Sequence, residues 1–313
     1  MRRMTDYLFL INPASGKQDR TEWITKAVSS VPTDGNVTIY TTKSPGDGEK
    51  YVCEWLREAQ APARVYACGG DGTLNEAAQG IYLSGNQNVS LGFLPIGSGN
   101  DFLRSFRIPE SRFRNVRDMM NGTPVPCDLI LVTDDDGAER VCVNVASAGF
   151  DAAVCRGKDA FRRLPLVSGG AAYGLSTARQ LFHHLGHSFT VLADGEPIEV
   201  GQKNEYLLVL GANGQYYGGG FRASPESVTD DGLMNLILIE TVSRVTFARL
   251  VGSYRKGDYF DKFGEHMAHR RVRSMQILAE QAIDVNLDGE IFSMRNPRLT
   301  LLPSFLRFLL PGE

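Results

Sequence analysis

The sequence predicts an α/β domain followed by an all-β domain. The length of 313 residues exceeds that of a typical single domain. Up to about residue 130, strand-like and helix-like segments alternate, which is typical of a parallel sheet covered by helices. Beyond that point short strand-like runs predominate. Asp-Gly turns at 136–137, 194–195 and 288–289 separate them, which is typical of antiparallel strands.

The first domain is predicted to span residues 1–130. Its strands are apolar runs at 7–11, 37–41, 64–68 and 91–95, and its helices have helical spacing at 21–30, 48–58 and 74–81. Three of the strands end in loops that contain glycine or Asn-Pro. Because open parallel sheets bind ligands beyond the carboxyl ends of their strands, these loops are expected to lie side by side.

The second domain is predicted to span residues 131–297, and the segment 298–313 is expected to pack back on the first domain. Strands are predicted at 129–133, 141–145, 189–192, 206–211, 234–239, 274–279 and 283–287. Two stretches, 171–183 and 245–254, look like helices or connections within this domain. Such a succession of short strands predicts a mainly antiparallel arrangement.

The composition argues against nucleic-acid binding and against a membrane span. The net charge of −3 gives no general attraction to nucleic acid. The five cysteines form no CxxC pair and no zinc-type spacing, so we expect a reduced, cytoplasmic protein. No stretch approaches the ~20 apolar residues of a transmembrane helix, so any membrane contact is expected to be peripheral.

The densest motif is GGDGT at 69–73, between a predicted strand and a predicted helix. Glycines let backbone N–H groups approach phosphate oxygens, and the N-terminus of the following helix favours an anion. Asp71 beside phosphates requires a cation, which Mg²⁺ bound to ATP would supply. Loops at 12–17 and 97–101 follow two other strands, and each is by itself also typical of an ordinary turn.

Eight motifs follow one another along the chain: NPASGK, TTKSPGD, GGDGTLNE, LGFLPIGSGNDF, CDL, NVASAGFDA, TDDGLMNLILI and NLDGE. In this order and spacing they resemble the diacylglycerol kinase catalytic-domain family, in particular its soluble bacterial lipid kinases. The resemblance covers nearly the whole chain. It implies an ATP-binding three-layer α/β domain, similar to those of phosphofructokinases and NAD kinases, and a C-terminal β-sandwich domain. It also implies transfer of the γ-phosphate of ATP to diacylglycerol or a related lipid alcohol.

Residue by residue, the resemblance implies an ATP site and a metal site. The residues implied to contact ATP are Asn12, Pro13, Ala14, Ser15, Gly16, Thr42, Gly69, Gly70, Asp71, Gly72, Thr73, Leu74, Asn75 and Ser98. Asp71 is implied to act through Mg²⁺. In the second domain, Asp231 is implied to hold a structural metal with the backbone carbonyls of Val228 and Leu233. Without the family, the sequence around Asp231 is typical of a turn.

The tripeptide Asp-Gly-Glu occurs twice, at 194–196 and 288–290, and a hairpin turn is the default interpretation of both. The second copy follows an apolar strand and lies where the family places its catalytic acid. The resemblance therefore implies that Glu290 is the general base for the substrate hydroxyl and that Asp288 assists or orients it. A lipid alcohol is a poor nucleophile, so a positioned carboxylate meets a chemical need of the reaction.

Further residues carry weaker implications. Asp128 matches an acidic position that the family connects to its metal and water network, with a domain-junction role as an equal alternative. The histidines at 183, 184, 187, 266 and 269 are interpreted as non-catalytic. Two stretches are candidates for membrane contact, and each is also typical of a solvated helix face. They are 156–163 and the group Phe102, Leu103, Arg104, Phe106 and Arg107.

Two alternatives to a lipid kinase are compatible with the sequence. A kinase for a soluble substrate such as NAD shares GGDGT, and an inactive nucleotide-binding regulator would keep the nucleotide loops. The β-rich second domain with NLDGE favours a lipid acceptor. Retention of Asp71, Asp231, Asp288 and Glu290 argues against a regulator, which needs no general base. We expect a protein at the inner face of the membrane, with an edge strand available for a homodimer.

Overall fold

The computed structural model describes residues 5–59, 62–152, 186–201 and 204–312. Several predictions fall outside these residues: the helix or connection at 171–183, the segment 156–163, Cys155, His183 and His184. The elements, numbered along the described residues, are β1 (Asp6–Ile11), α1 (Thr21–Ser29), β2 (Val37–Thr41), α2 (Asp47–Glu58), β3 (Ala63–Gly69), α3 (Asp71–Ser84), β4 (Val89–Pro95), a 3-10 helix (Phe102–Phe106), α4 (Glu110–Phe113), α5 (Val116–Met120), β5 (Thr123–Thr133), β6 (Glu139–Cys142), β7 (Val145–Gly149), β8 (His187–Ser188), β9 (Thr190–Ala193), β10 (Glu196–Ile198), β11 (Glu205–Ala212), β12 (Met234–Glu240), α6 (Arg244–Lys256), α7 (Tyr259–Phe263), a 3-10 helix (Gly264–His266), β13 (Met267–Val272), β14 (Ser274–Leu278), β15 (Ile283–Leu287), β16 (Glu290–Met294) and β17 (Arg298–Leu310).

The chain forms two compact units. The first comprises residues 1–129 and 302–313, and the second comprises residues 130–301. The two strands β5 and β17 each contribute residues to both units. The sequence predicted boundaries after residues 130 and 297, and the two units of the structure meet after residues 129 and 301.

The first unit is built on a parallel sheet. Its strand order is β2-β1-β3-β4, and Phe308 of β17 pairs with Leu91 of β4, also in parallel. In β1 and β3 nearly every residue is buried, which explains why these strands are continuous apolar runs rather than alternating ones. The helices α2 and α3 approach closely at Gly80, where a Cβ atom would lie 2.6 Å from the carbonyl oxygen of Glu49. The predicted α/β architecture of this half is confirmed.

The second unit is a β-sandwich. Among the described residues, one sheet has the strand order β13-β12-β11-β7-β15-β16 with antiparallel pairs throughout, and β8 pairs with β11. The facing layer contains β10, β9, β14 and the first residues of β17. Side chains of both layers share one buried core, which includes Val191, Val209, Leu236, Met275 and Leu287. The prediction of a mainly antiparallel second domain is confirmed.

Helices α6 and α7 cover the outer face of the first of these sheets. Phe247 and Leu250 of α6 pack in one buried cluster with Leu207 and Ile239 of the sheet. The helix begins where Ser243 accepts the N–H group of Thr246 at 3.2 Å. It ends at a glycine with positive φ, residue 257. The stretch 245–254, which the sequence left open as a helix or a connection, is therefore a helix.

The predicted strand 141–145 is wrong, because the structure has two strands there. β6 ends at Cys142 and β7 begins at Val145, and the chain between them belongs to neither ladder. The N–H groups of Val143 and Asn144 donate to the carboxylate of Asp288, at 2.7 and 3.0 Å. A side chain about 145 residues away has therefore taken the donors that a continuous strand would use.

Candidate active site

Loops of the first unit meet beyond the carboxyl ends of β3 and β4. The carbonyl oxygen of Gly69 accepts the N–H groups of Ile96 and Gly97, each at 2.9 Å. The N–H group of Asp71 donates to the carbonyl oxygen of Gly99 at 3.2 Å. A Cβ atom on Gly97 would lie 2.6 Å from the Cα atom of residue 70, so this approach requires glycine. The expectation that these loops lie side by side is confirmed.

The loop after β1 joins them. Asn12 Nδ2 donates to Thr73 Oγ1 at 3.2 Å, which ties this loop to the first turn of α3. Gly16 has a φ of 82°, and a Cβ atom there would lie 2.3 Å from the carbonyl oxygen of Ile96. All three predicted loops therefore form one cradle, which we call the loop cradle.

Most residues implied for ATP lie in this cradle or in the first turn of α3. Beyond those already named they are Pro13, Ala14, Ser15, Gly70, Gly72, Leu74, Asn75 and Ser98. Thr73 and Leu74 are 4% and 1% exposed, so their side chains are packed in the protein interior. The N–H group of Leu74 donates to the carbonyl oxygen of Gly70 at 3.1 Å, so Leu74 closes the first turn of α3.

The carboxylate of Asp71 lies at the start of α3. Its Oδ2 atom accepts the N–H group of Asp101 at 3.1 Å. The first N–H groups of a helix have no acceptor within the helix, so this end of α3 favours an anion. A carboxylate beside a bound anion suits a divalent cation with oxygen ligands. Buried Asp101, which pairs with Arg104 at 3.2 Å, was not predicted although GSGND contains it.

Glu76 holds the loop after β2 and was also missed. Its carboxylate accepts the N–H groups of Gly46 and Gly48, at 3.0 and 2.9 Å. Burial raises the pKa of Glu76, and the two hydrogen bonds act in the opposite direction. Thr42, at the start of this loop, donates its N–H group to the carbonyl oxygen of Ile11 at 2.8 Å. Glu76 lies 30 and 28 residues from Gly46 and Gly48, so no local sequence pattern reveals these hydrogen bonds.

In the second unit, Asp288 is held by three consecutive backbone groups. The N–H groups of Val143, Asn144 and Val145 donate to its carboxylate at 2.7, 3.0 and 3.1 Å. Asp288 and Gly289 both have positive φ, as a two-residue type I′ hairpin requires. These hydrogen bonds hold the turn against the connection between β6 and β7 and against the start of β7.

Glu290 follows this turn and is exposed at the start of β16. It pairs with Leu287 across the hairpin, so its position is determined by the ladder. The N–H group of Gly289 donates to Asn286 Oδ1 at 2.9 Å. The turn therefore presents an accessible carboxylate on a backbone that is hydrogen-bonded on two sides.

The twin tripeptide forms the same turn in a different setting. Asp194 also has positive φ, and its Oδ1 atom accepts the N–H groups of Arg273 and Ser274 at 2.9 and 2.8 Å. The Asp-Gly-Glu string thus specifies a turn whose aspartate captures backbone donors. What differs between the copies is the segment that each aspartate holds.

The proposed metal ligand Asp231 already has partners. Its Oδ1 atom accepts the N–H group of Leu233 at 3.0 Å, and its Oδ2 atom pairs with the guanidinium of Arg271. Val228 is 46% exposed. Within the described part of the chain, no group of three or more His, Cys, Asp and Glu side chains could hold a metal. The ion pair with Arg271 competes with a cation for this carboxylate, and the metal site stays a prediction.

Two of the three apolar residues predicted for membrane contact, Phe102 and Leu103, are part of the core. Phe102 and Leu103 are 0% and 2% exposed, and Phe106 stacks on Phe308 with ring centroids 5.0 Å apart. Arg104 and Arg107 of the same group are exposed, whereas the prediction that Phe102 and Leu103 reach a bilayer is wrong. Their spacing in the sequence is that of a short helix packed against β17, which an apolar pattern cannot distinguish from a membrane face.

Asp128 is fully buried and has a structural contact. Its Oδ1 atom accepts the N–H group of Ser304 at 2.7 Å, within the first unit. Ser304 has positive φ, so this hydrogen bond supports an unusual backbone conformation in β17. The structure gives Asp128 a backbone-holding role.

Comparison with known proteins matches each unit to a family model. Residues 6–132 match the model of the diacylglycerol kinase catalytic domain, and residues 144–310 match that of the YegS C-terminal NAD kinase beta sandwich-like domain. A relative from Xanthomonas axonopodis pv. citri, named "Probable lipid kinase YegS-like", is 31% identical over 88% of this chain and 87% of its own length. The chain belongs to the diacylglycerol kinase catalytic-domain family.

Two further similar proteins match over almost the whole chain. A relative of the same name from Yersinia enterocolitica is 30% identical and covers 98% of both chains. A crystal structure of a "putative diacylglycerol kinase" from Bacillus anthracis covers 99% of this chain and 98% of its own, with a TM-score of 0.76. At 23% identity this second likeness shows the shared fold. The predicted resemblance and fold class are confirmed, and the protein is a phosphotransferase of a kinase family.

Proposed function

We propose that this protein transfers the γ-phosphoryl group of ATP to the hydroxyl of diacylglycerol or a related lipid alcohol. The observation that carries the proposal is the turn at 288–290, where an anchored aspartate positions an exposed glutamate. Phosphoryl transfer to an alcohol benefits from a carboxylate that accepts the hydroxyl proton. A module that only binds nucleotide has no use for such a group.

The residues of the loop cradle fit the phosphates of a nucleotide. Backbone N–H groups at the start of α3 would bind phosphate oxygens, and Asp71 would hold the Mg²⁺ ion that accompanies ATP. When bound, magnesium-ATP supplies the electrophilic phosphorus. Asn12 keeps the first loop beside α3 through its hydrogen bond to Thr73. Two close glycine contacts, at Gly16 and Gly97, keep the cradle narrow.

Glu290 is the general base of the proposed reaction. Its carboxylate accepts the proton of the lipid hydroxyl while that oxygen bonds to phosphorus and ADP leaves. Asp288 acts as a positioning residue, because backbone donors surround its carboxylate. A glutamate on an ordered hairpin is held in place at little further entropic cost, which favours proton transfer.

Contact with the bilayer is proposed to be peripheral. Within the described residues, no helix is both long and apolar enough to cross a membrane. A groove of about 410 Å³ in the first unit places Trp23, which is 45% exposed, with Arg114 and Arg117. Tryptophan and arginine together suit the interface of an anionic leaflet. This groove replaces the buried aromatic residues as the candidate contact surface.

The test is transfer of radiolabelled phosphate from ATP to a panel of lipid alcohols, with soluble acceptors such as NAD in parallel. We expect label in a lipid, and we expect Glu290→Gln to lower kcat by at least ~100-fold. The matched control is Glu196→Gln, the same substitution in the twin turn, which should leave kcat within about twofold of the wild type.

Each outcome bears on a different part of the proposal. Normal activity of Glu290→Gln would remove the base assignment. Label in a soluble acceptor and in none of the lipids would show that the acceptor class is wrong. Equal losses in Glu290→Gln and Glu196→Gln would mean that both glutamates act on stability and not on proton transfer.

A further inference from the structure

A buried polar side chain, that of Asn286, lies behind the proposed catalytic turn. Asn286 of β15 is opposite Ser147 of β7 in the sheet, and each is 2% exposed. Because Val285 and Leu287 belong to the core that the two layers share, Asn286 projects from the other face of the sheet. This outer face is the one that α6 covers. Burial of an amide there is costly unless its hydrogen bonds are satisfied.

The amide of Asn286 is hydrogen-bonded at both ends. Its Nδ2 atom donates to Ser147 Oγ and to Asp151 Oδ2, each at 3.4 Å. Its Oδ1 atom accepts the N–H group of Gly289 at 2.9 Å. An ionised carboxylate can only accept hydrogen bonds, so Asp151 requires that the NH₂ group faces it. The oxygen of the amide is thereby directed toward the turn.

The carboxylate of Asp151 is itself held in one orientation. Ser147 Oγ donates to its Oδ2 atom, the N–H group of Ala152 donates to its Oδ1 atom at 2.8 Å, and the side chain of Tyr217 also hydrogen-bonds it. Asp151 lines a cavity of about 90 Å³ between α6 and the sheet. Among the described residues of that lining the other titratable groups are Tyr217 and Tyr254, and none is lysine, arginine or histidine. Burial raises the pKa of Asp151, and its hydrogen bonds act in the opposite direction.

We propose that Asn286 is a positioning residue for Glu290, because it ties the turn at 288–290 to the fixed carboxylate of Asp151. This role rests on the proposed function, in which Glu290 is the base. Asp288 holds the turn against the connection between β6 and β7. Asn286 holds the N–H group of Gly289, the residue directly before Glu290. Without this second contact the glutamate departs from the geometry that proton transfer requires.

The substitution Asn286→Asp tests this link through the pH dependence of kcat. It places a second carboxyl group beside Asp151, and two such groups within hydrogen-bond distance share one proton. At low pH the shared proton takes the place of the amide hydrogen. As the pH rises through the raised pKa of the pair, the two carboxylates repel each other and the contact with Gly289 is lost. We expect kcat to fall ~10-fold across this step, which the wild type lacks, while KM for ATP stays unchanged.

The double variant Asn286→Asp with Asp151→Asn is the rescue. It again places one amide opposite one carboxylate, so the fall of kcat at high pH should disappear. Asn235→Asp is the matched control, since Asn235 is a fully buried asparagine of the same sheet whose partners are Ser227 and His269. It should show no such fall. A wild-type pH profile in Asn286→Asp, or a fall that persists in the double variant, would overturn the proposal.

Hydrogen exchange, followed by mass spectrometry, tests the link without catalysis. In the full-length protein without ATP or lipid, at a pH above the fall, the turn peptide 284–292 of Asn286→Asp should exchange at least ~10-fold faster than that of the wild type. In Asn235→Asp its exchange should stay within about twofold. Faster exchange together with full activity of Glu290→Gln would refute the base assignment and leave the link intact. Unchanged exchange together with an inactive Glu290→Gln would refute the link and leave the proposed function standing.

Discussion

The side chain of Asp288 binds the connection between β6 and β7 and thereby also holds the turn at 288–290 in place. Its carboxylate takes the N–H groups of Val143, Asn144 and Val145, which lie between β6 and β7 or begin β7. Hydrogen bonds from backbone N–H groups to a carboxylate are stronger than neutral ones, so their loss affects both stability and position. The catalytic proposal depends on this anchoring as much as on Glu290 itself.

Asp288→Asn tests the anchoring at the residue scale. Asparagine tolerates the positive φ of this position, but its NH₂ group faces backbone donors where an oxygen stood. We expect the free energy of unfolding to fall by about 1–3 kcal/mol and kcat to fall about 100-fold, because the base is displaced. Urea unfolding and steady-state kinetics measure the two effects.

Asp194→Asn is the control for that substitution. Asp194 has the same φ sign and the same kind of backbone partners, so a comparable loss of stability is expected. Its kcat should remain within about twofold of the wild type at a temperature where both variants are folded. A parallel loss of kcat would show that activity follows stability and that Asp288 has no special positioning role.

At the scale of elements, the loop cradle is defined by how closely backbones approach. On Gly97 a Cβ atom would lie 2.6 Å from the Cα atom of Gly70, and backbone cannot rotate out of the way as a flexible side chain can. The nucleotide site therefore depends on the spacing of two loops that are held by glycine. The spacing between the loops after β3 and β4 depends on both loops together and not on either loop alone.

Gly97→Ala is expected to separate these loops. The free energy of unfolding should fall by about 1–3 kcal/mol, as for overpacking of a close contact, and KM for ATP should rise about tenfold. Gly252→Ala makes the same change on α6, where nothing lies within 4 Å of the added Cβ. That control should gain about 0.5–1 kcal/mol of stability. An unchanged KM for ATP in Gly97→Ala would contradict the role of the loop spacing.

For the whole molecule, local patterns predicted most elements, and long-range contacts account for what they missed. Apolar runs located β1, β3 and β4 because parallel strands are buried on both faces. The break after Cys142 and the contact of Glu76 with Gly46 depend on partners far away in the chain, which no local window contains. The same limit applied to Phe102, whose burial against Phe308 leaves no trace in its own sequence neighbourhood.

The candidate site was predictable in a similar way. Glycine-rich loops at strand ends indicated where phosphates bind, since the physics of that site is local. The cavity beside Asp151 was not predicted, because its walls come from β11, β12 and α6, which are distant in sequence. Only the fold brings these three elements together around Asp151.

The negative net charge of the whole chain opposes attachment to an anionic membrane surface. The chain carries −3, so binding to anionic vesicles must come from a local basic patch. Arg117→Glu alters the groove that Trp23 and Arg117 both line. Arg249→Glu makes the same change at an exposed position of α6, in the second unit. Both substitutions lower the net charge by the same amount. A difference in vesicle binding between the two variants therefore depends only on where the charge was changed.

We expect the wild type to float with vesicles that contain anionic lipid and to be released by high salt, as screening shortens electrostatic range. Arg117→Glu should reduce the partition coefficient about tenfold, since each basic residue near the surface contributes about 1 kcal/mol and the new charge is repelled. Arg249→Glu should change it less than about threefold. Equal losses would mean that the total charge governs attachment, and equal recovery with neutral vesicles would exclude an electrostatic contribution altogether.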